Sequence, residues 1–201
     1  MNFFMVVLAI LVGVVLANLA LQFIARWVNP LIGQLMEIDG ERLHYIERGN
    51  RAASTLVMLH GNGTLIQDLT ISGLVDAAAK DYRVICFDRP GFGYSKKRNR
   101  TLQTPEYQSD LLLKAIRALG VDEPVIIAHS WATLIALTMA SDRRHNIKGV
   151  ILVSGYYFPT WRFDTVIAGS AAVPLLGHFL RFTISPLMTF LTMPEIGRAH
   201  V

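Results

Sequence analysis

The sequence predicts an α/β fold, a mostly parallel sheet with helices on both faces, preceded by a transmembrane helix. Three observations lead there. Short apolar runs recur at residues 55–59, 82–87, 124–128 and 147–153, and segments with helical character separate them. These runs are apolar throughout, as strands buried on both faces are. Finally, the 22 residues Phe3–Ile24 contain no charged side chain.

That first stretch holds only Asn18 and Gln22 as polar side chains. As a helix it reaches about 33 Å, enough to cross a hydrocarbon core of about 30 Å. A cleaved signal peptide would want a positive start, a shorter apolar stretch and a small-residue cleavage site. Here no Lys or Arg precedes the span, and Val15-Leu16-Ala17 is only a passable site. A single-pass anchor over residues 1–26 fits better, with Arg26 and Trp27 at the interface. Arg26 leans the body toward the cytoplasm, but Glu37, Asp39 and Arg42 soon follow and leave the side open.

Residues 36–48 predict a hairpin turning at Asp39-Gly40, a pair suited to the positive φ angles of a tight turn. The run 55–59 is a buried strand ending in the glycine-rich turn His60-Gly61-Asn62-Gly63. A helix is expected over 67–79, then a strand over 82–87 closed by Asp88-Arg89-Pro90-Gly91-Phe92-Gly93. The next helix is well marked: Thr104 as N-cap, Pro105 at the first position, Leu112, Ile116 and Leu119 as its stripe, Gly120 as its stop. A strand over 124–128, a turn at Ser130, a helix over 132–140 and a strand over 147–153 complete the pattern.

The 201 residues are enough for one domain with a substantial core; they are 52% hydrophobic and 17% charged, with a net charge of +4. That balance is not a nucleic-acid signature. Its only dense cluster, Lys96-Lys97-Arg98-Asn99-Arg100, fits a solvated loop, and in an anchored protein it could touch anionic lipid. The single Cys86 rules out an internal disulfide and is expected to be core packing.

In a parallel sheet the active crevice lies beyond the carboxyl ends of the strands, where the loops at His60, Asp88 and Ser130 all fall. Ser130 directly follows a buried strand, directly precedes a helix, and has small residues, Ala128 and Ala132, two positions to either side. A strained turn of that kind pushes the hydroxyl clear of the backbone, with a helix N-terminus behind it. Gly would fit these flanks most easily, so Ala132 is a departure. The N–H of Trp131 would point at the oxyanion formed on attack, and a second N–H would come from at or near Asn62. The ordinary roles fall elsewhere. His60 is expected to support its turn, His129 to pack or bond behind the turn, and Asp88-Arg89 to brace a loop. Ser95 and Ser154 lack the strand–turn–helix setting.

In this order, His60-Gly61-Asn62-Gly63, Asp88-Arg89-Pro90-Gly91-Phe92-Gly93-Tyr94-Ser95 and Ala128-His129-Ser130-Trp131-Ala132, with the strand between Ile147 and Ser154, resemble the serine-nucleophile branch of the α/β-hydrolase superfamily. The resemblance covers about residues 36–155, the N-terminal part of such a core. It implies Ser130 as nucleophile, the Asn62 and Trp131 N–H groups as oxyanion hole, and the start of a cap over the site at residues 156–194. Tyr156, Tyr157, Phe158, Trp161 and the apolar stretch 173–190 suit a greasy lid, and plain helix packing suits them equally. The implied protein is a membrane-anchored, esterase- or lipase-like hydrolase of small to medium apolar esters, with no cofactor and no metal. A non-catalytic binding module on the membrane stays open, as does a cofactor-free haloperoxidase or carbon–carbon hydrolase. Oligomeric state stays open too.

The family order is Ser, then an acid, then His. After Ser130 the acids are Asp142, Asp164 and Glu195, and the histidines His145, His178 and His200; none follows a strand-like run in the required place. Residues 195–201, Glu-Ile-Gly-Arg-Ala-His-Val, correspond to a translated sequencing adapter, so native sequence is expected to end near Pro194. On that expectation the chain lacks its catalytic acid and His and is inactive as it stands.

Overall fold

The computed structural model describes residues 3–28, 30–96, 102–142, 146–155 and the single positions 157, 177 and 180. Two compact units divide the chain, one of residues 1–30 with 160–201 and one of residues 31–159. The first contains α1 (Phe3–Val28), whose Phe3–Ile24 segment is long and apolar enough to cross a membrane and leaves most of its apolar side chains exposed. The proposed cap at 156–194, residues 97–100 of the basic cluster, Asp164, His145, His178 and the 195–201 tail lie outside the described residues, apart from positions 157, 177 and 180.

The second unit is a six-stranded sheet in the order β1-β2-β4-β3-β5-β6. β1 (Gln34–Ile38) and β2 (Glu41–Arg48) form the expected hairpin, two residues longer at its start. Asp39 (φ 52) and Gly40 (φ 77) both take positive φ at its turn. β2 pairs antiparallel with β4 (Arg83–Phe87), while β3 (Thr55–Leu59), β4, β5 (Val125–His129) and β6 (Gly149–Val153) run parallel.

Side chains alternate across the strands and build two cores. Val57, Leu59, Ile85, Phe87, Ile126 and Ala128 face α4 (Pro105–Ala118) and α5 (Ala132–Ser141). Leu56, Met58, Val84 and Cys86 face Ile66 of α2 (Ile66–Ile71) and Val75 of α3 (Leu74–Ala78). Burial pushes the Cys86 thiol up to about 12, as expected of an inert core residue.

Helix boundaries follow local chemistry. The Thr104 hydroxyl accepts the Tyr107 N–H at 3.2 Å, and Gly120 leaves α4 at φ 70. The single helix expected over 67–79 is instead two. Gly73 at φ 75 breaks it, and the Asp68 carboxylate accepts the Leu65 N–H at 2.6 Å to start α2. A glycine inside a helical pattern carries a cost, and here it turns the chain.

From β3 the chain crosses to β4 on one side, then to β5 on the other side of β3. The strand order therefore reverses between β3 and β5. A crevice at the carboxyl ends of such a pair is where α/β sheets place ligands.

Candidate active site

Ser130 stands at that switch point, between the end of β5 and the start of α5. Its φ is 55, in the left-handed region that costs a non-glycine residue about 1 kcal/mol or more. The surroundings hold it there. Its N–H donates to the Val153 carbonyl at 2.9 Å, and its carbonyl accepts the Thr133 hydroxyl at 2.7 Å and the Thr133 N–H at 3.1 Å. The elbow is thus tied to β6 on one side and to α5 on the other.

The flanks Ala128 and Ala132 are fully buried and belong to the core beneath α4 and α5. Both methyl groups are used in packing, so Ala132 fits a site where glycine would have left a void.

The turn after β3 comes directly against the serine. A Cβ placed on Gly61 would lie 2.9 Å from Ser130 Cβ, 3.1 Å from His129 Nδ1 and 3.3 Å from the His129 carbonyl. Only a residue without a side chain permits this approach, and it brings the Gly61-Asn62 backbone beside Ser130. Among the described residues, neither the Asn62 nor the Trp131 N–H is engaged with another protein group. Both remain available to an incoming anion.

His60 has the supporting role expected of it. Its Nε2 accepts the Arg89 N–H at 3.0 Å, which leaves Nδ1 to donate to the Gly61 carbonyl at 2.8 Å. Burial, then the Arg89 charge, lowers its pKa to about 4, so it is a neutral imidazole. His129 differs from expectation. The residue is exposed at the strand end, and its Nδ1 lies beside Gly61.

The Asp88-Arg89 pair is a brace, as expected, and a far more extensive one than the sequence suggested. Asp88 Oδ2 contacts His44 Nδ1 at 2.6 Å and accepts the Tyr94 N–H at 3.1 Å, while Oδ1 accepts the Ile66 N–H at 3.0 Å. His44 Nε2 meets the Ile32 carbonyl, so both of its ring nitrogens face acceptors and both carry protons. Burial works against that charge, but Asp88 and the Ile32 carbonyl outweigh it and raise the His44 pKa. Ser95 is equally committed, donating to the Asp88 carbonyl at 2.6 Å and accepting the His44 N–H at 2.8 Å. His44 went unnoticed in the sequence; the available signal was a histidine in mid-strand between apolar neighbours.

Arg89 is 1% exposed. Its Nη2 donates to the Gly61 carbonyl at 3.0 Å and to Asn62 Oδ1 at 2.6 Å, and its guanidinium lies 4.5 Å from the Phe92 ring centre and 4.8 Å from that of Trp131. Desolvation lowers its pKa to about 10, which still leaves it charged at neutral pH. Among the described residues no group of three or more His, Cys, Asp or Glu side chains is gathered as a metal ion would need.

The chain matches the model of the alpha/beta hydrolase fold family over residues 54–190. It is 28% identical over 145 residues to the Bacillus subtilis protein called uncharacterized hydrolase YugF, covering 70% of this chain and 52% of that one. It is 30% identical over 128 residues to a haloalkane dehalogenase of Mycobacterium marinum, covering 63% of this chain and 42% of that one. In structure it is similar to a membrane phospholipase A, with a TM-score of 0.61 at 20% identity over 83% of this chain and 56% of the other. The chain therefore spans about half the length of these relatives.

Proposed function

The chain belongs to the α/β-hydrolase fold family, and from that premise we propose that it carries the nucleophile and oxyanion hole of a membrane-anchored serine hydrolase acting on ester-like bonds. The observation that carries this reading is Ser130 at φ 55 between β5 and α5, with the Gly61-Asn62 turn packed against it. Ser130 Oγ adds to the ester carbonyl carbon, its proton passes to a general base, and the carbonyl electron pair moves onto oxygen. The Asn62 and Trp131 N–H groups receive that oxyanion, aided by the N-terminus of α5. Collapse expels the alcohol with the transferred proton, and water releases the acid from the acyl-enzyme.

The base and its acid are proposed to come from residues beyond those described. Within the described set, His44 and His60 have both ring nitrogens committed, and His129 adjoins the serine at a strand end, where neighbouring positions point to different sides. Residues 156–194 are proposed as the start of a cap, which gives the site a small to medium apolar substrate.

Serine also argues against the activity named for the dehalogenase relative. Its attack on an alkyl halide would leave a serine ether, which water does not hydrolyse; attack on an ester leaves an acyl group that water does. Acyl transfer is the chemistry that turns over.

A fluorophosphonate should label the full-length protein and fail to label Ser130→Ala. Persistent labelling of that variant would place the nucleophile elsewhere. The α1 helix is proposed as an uncleaved anchor, with Arg26 favouring a cytoplasmic body. The protein should stay with membranes through an alkaline carbonate wash and resist protease added to intact cells. Release by the wash would contradict the anchor, and digestion would put the body outside.

A further inference from the structure

One peptide unit beside Ser130 is gripped from a single side. The Gly61 carbonyl accepts His60 Nδ1–H at 2.8 Å, Arg89 Nη2–H at 3.0 Å and the Thr64 hydroxyl at 3.2 Å. In a trans peptide the carbonyl and the following N–H point in opposite directions. Whatever fixes the Gly61 carbonyl therefore also aims the Asn62 N–H. Donors on that carbonyl also polarise the amide and strengthen its N–H as a donor.

Arg89 is unlike the other two donors because it reaches both halves of the oxyanion hole. Nη2 holds the Gly61 carbonyl and Asn62 Oδ1, while the guanidinium plane sits over Trp131, whose own N–H is the second donor. The Phe92 ring also lies against the guanidinium, Nη1 reaches Gln108 Oε1 at 3.4 Å, and the Arg89 backbone N–H is held by His60. Its partners are all neutral, so its charge is not cancelled by a carboxylate among the described residues.

We propose that Arg89 is the positioning residue of the oxyanion hole. It aims the Asn62 N–H and seats Trp131 through one buried guanidinium, and it lends positive potential to the anion that forms on attack. This inference rests on the serine-hydrolase reading and deepens it. An ordinary loop brace would affect folding alone; this role affects the transition state and leaves ground-state binding in place.

The test compares wild type, Ser130→Ala, Arg89→Met and Arg89→Lys in the full-length protein, with p-nitrophenyl butyrate as substrate. Rates are expressed per serine titrated in the burst, so an unfolded fraction does not count. For Arg89→Met, kcat should fall by about 10- to 100-fold, short of the 10²–10³ that follows loss of a whole donor. KM should stay within about threefold, because the lost interaction belongs to the transition state. Affinity for a trifluoromethyl ketone, which Ser130 converts to a hemiketal oxyanion, should fall with kcat. Arg89→Lys keeps the charge without the fork and should fall between, at least about threefold below wild type; it carries the test if the Met variant does not fold. Unchanged kcat per site, or a change in KM with ketone affinity intact, would overturn the proposal while the hydrolase reading stands. A wild type with no Ser130-dependent turnover would end that reading, and this one with it.

Discussion

Arg83 and Arg89 bracket the same strand, β4, and both are buried, yet their surroundings differ. At the amino end, Arg83 Nε meets Glu47 at 2.7 Å and Nη2 donates to the Leu119 carbonyl, so the charge is matched. Arg51 adds a second, exposed contact to Glu47, and an open cavity of about 300 Å³ among Arg51, Arg83, Asp122, Glu123 and Lys148 faces outward there. At the carboxyl end, Arg89 meets only neutral oxygens and aromatic faces. There too lie Ser130 at φ 55, buried His60 and the His44–Asp88 pair. One end of the sheet is balanced for stability. The other holds strain and an uncancelled charge, which a site that stabilises a developing anion needs.

Asp88→Asn removes the only carboxylate facing the His44 imidazolium among the described residues. Leaving that charge buried without its partner should cost about 3–5 kcal/mol. Urea unfolding would measure it, and a loss of less than about 1 kcal/mol would mean that His44 is neutral after all.

Acid provides the next test. The folded pKa of His60, about 4, lies below the ordinary 6.5, so the unfolded chain takes up the proton first. Stability should fall as pH drops through that window, by on the order of 3 kcal/mol in total. His44 works in the opposite sense: with a raised folded pKa, its contribution is complete below 6.5 and is lost as pH climbs through the folded value. Unfolding measured across pH should therefore give a maximum, and His60→Asn should flatten the acid side. An unchanged acid limb would refute the neutral buried His60.

The smallest effect sharpens the pairing directly. Arg83→Met should lower stability by about 1–3 kcal/mol through the contacts it leaves open, with kcat per titrated site unchanged. A fall in kcat there would erase the distinction between the two ends.

Features set by neighbours along the chain, and the parallel sheet they imply, are legible in the sequence; side-chain contacts that depend on strand register are not. The apolar run bounded by Ser54 and His60 predicts β3 to the residue, and Asp39-Gly40 predicts the turn between β1 and β2, because each depends on neighbours alone. Ser130 is legible for the same reason, since strand, turn and helix are contiguous. The His44–Asp88 contact joins residues 44 positions apart and needs the register of β2 on β4. Arg89 meets Gly61 and Asn62 only because β3 and β4 are neighbours, which a motif within one loop does not reveal. Gly73, at φ 75, divides the segment expected as one helix, because a glycine can leave the helical region at little steric cost.

Ser130 is proposed to supply the oxygen that carries the covalent intermediate. The direct measurement is to mix the full-length protein with p-nitrophenyl acetate, quench in acid during the burst, and map the acetyl group by peptide mass spectrometry. Acetylation is expected on the peptide containing Ser130 and none in Ser130→Ala. Acetyl on Ser95 or Ser154, or a burst that survives the substitution, would contradict it.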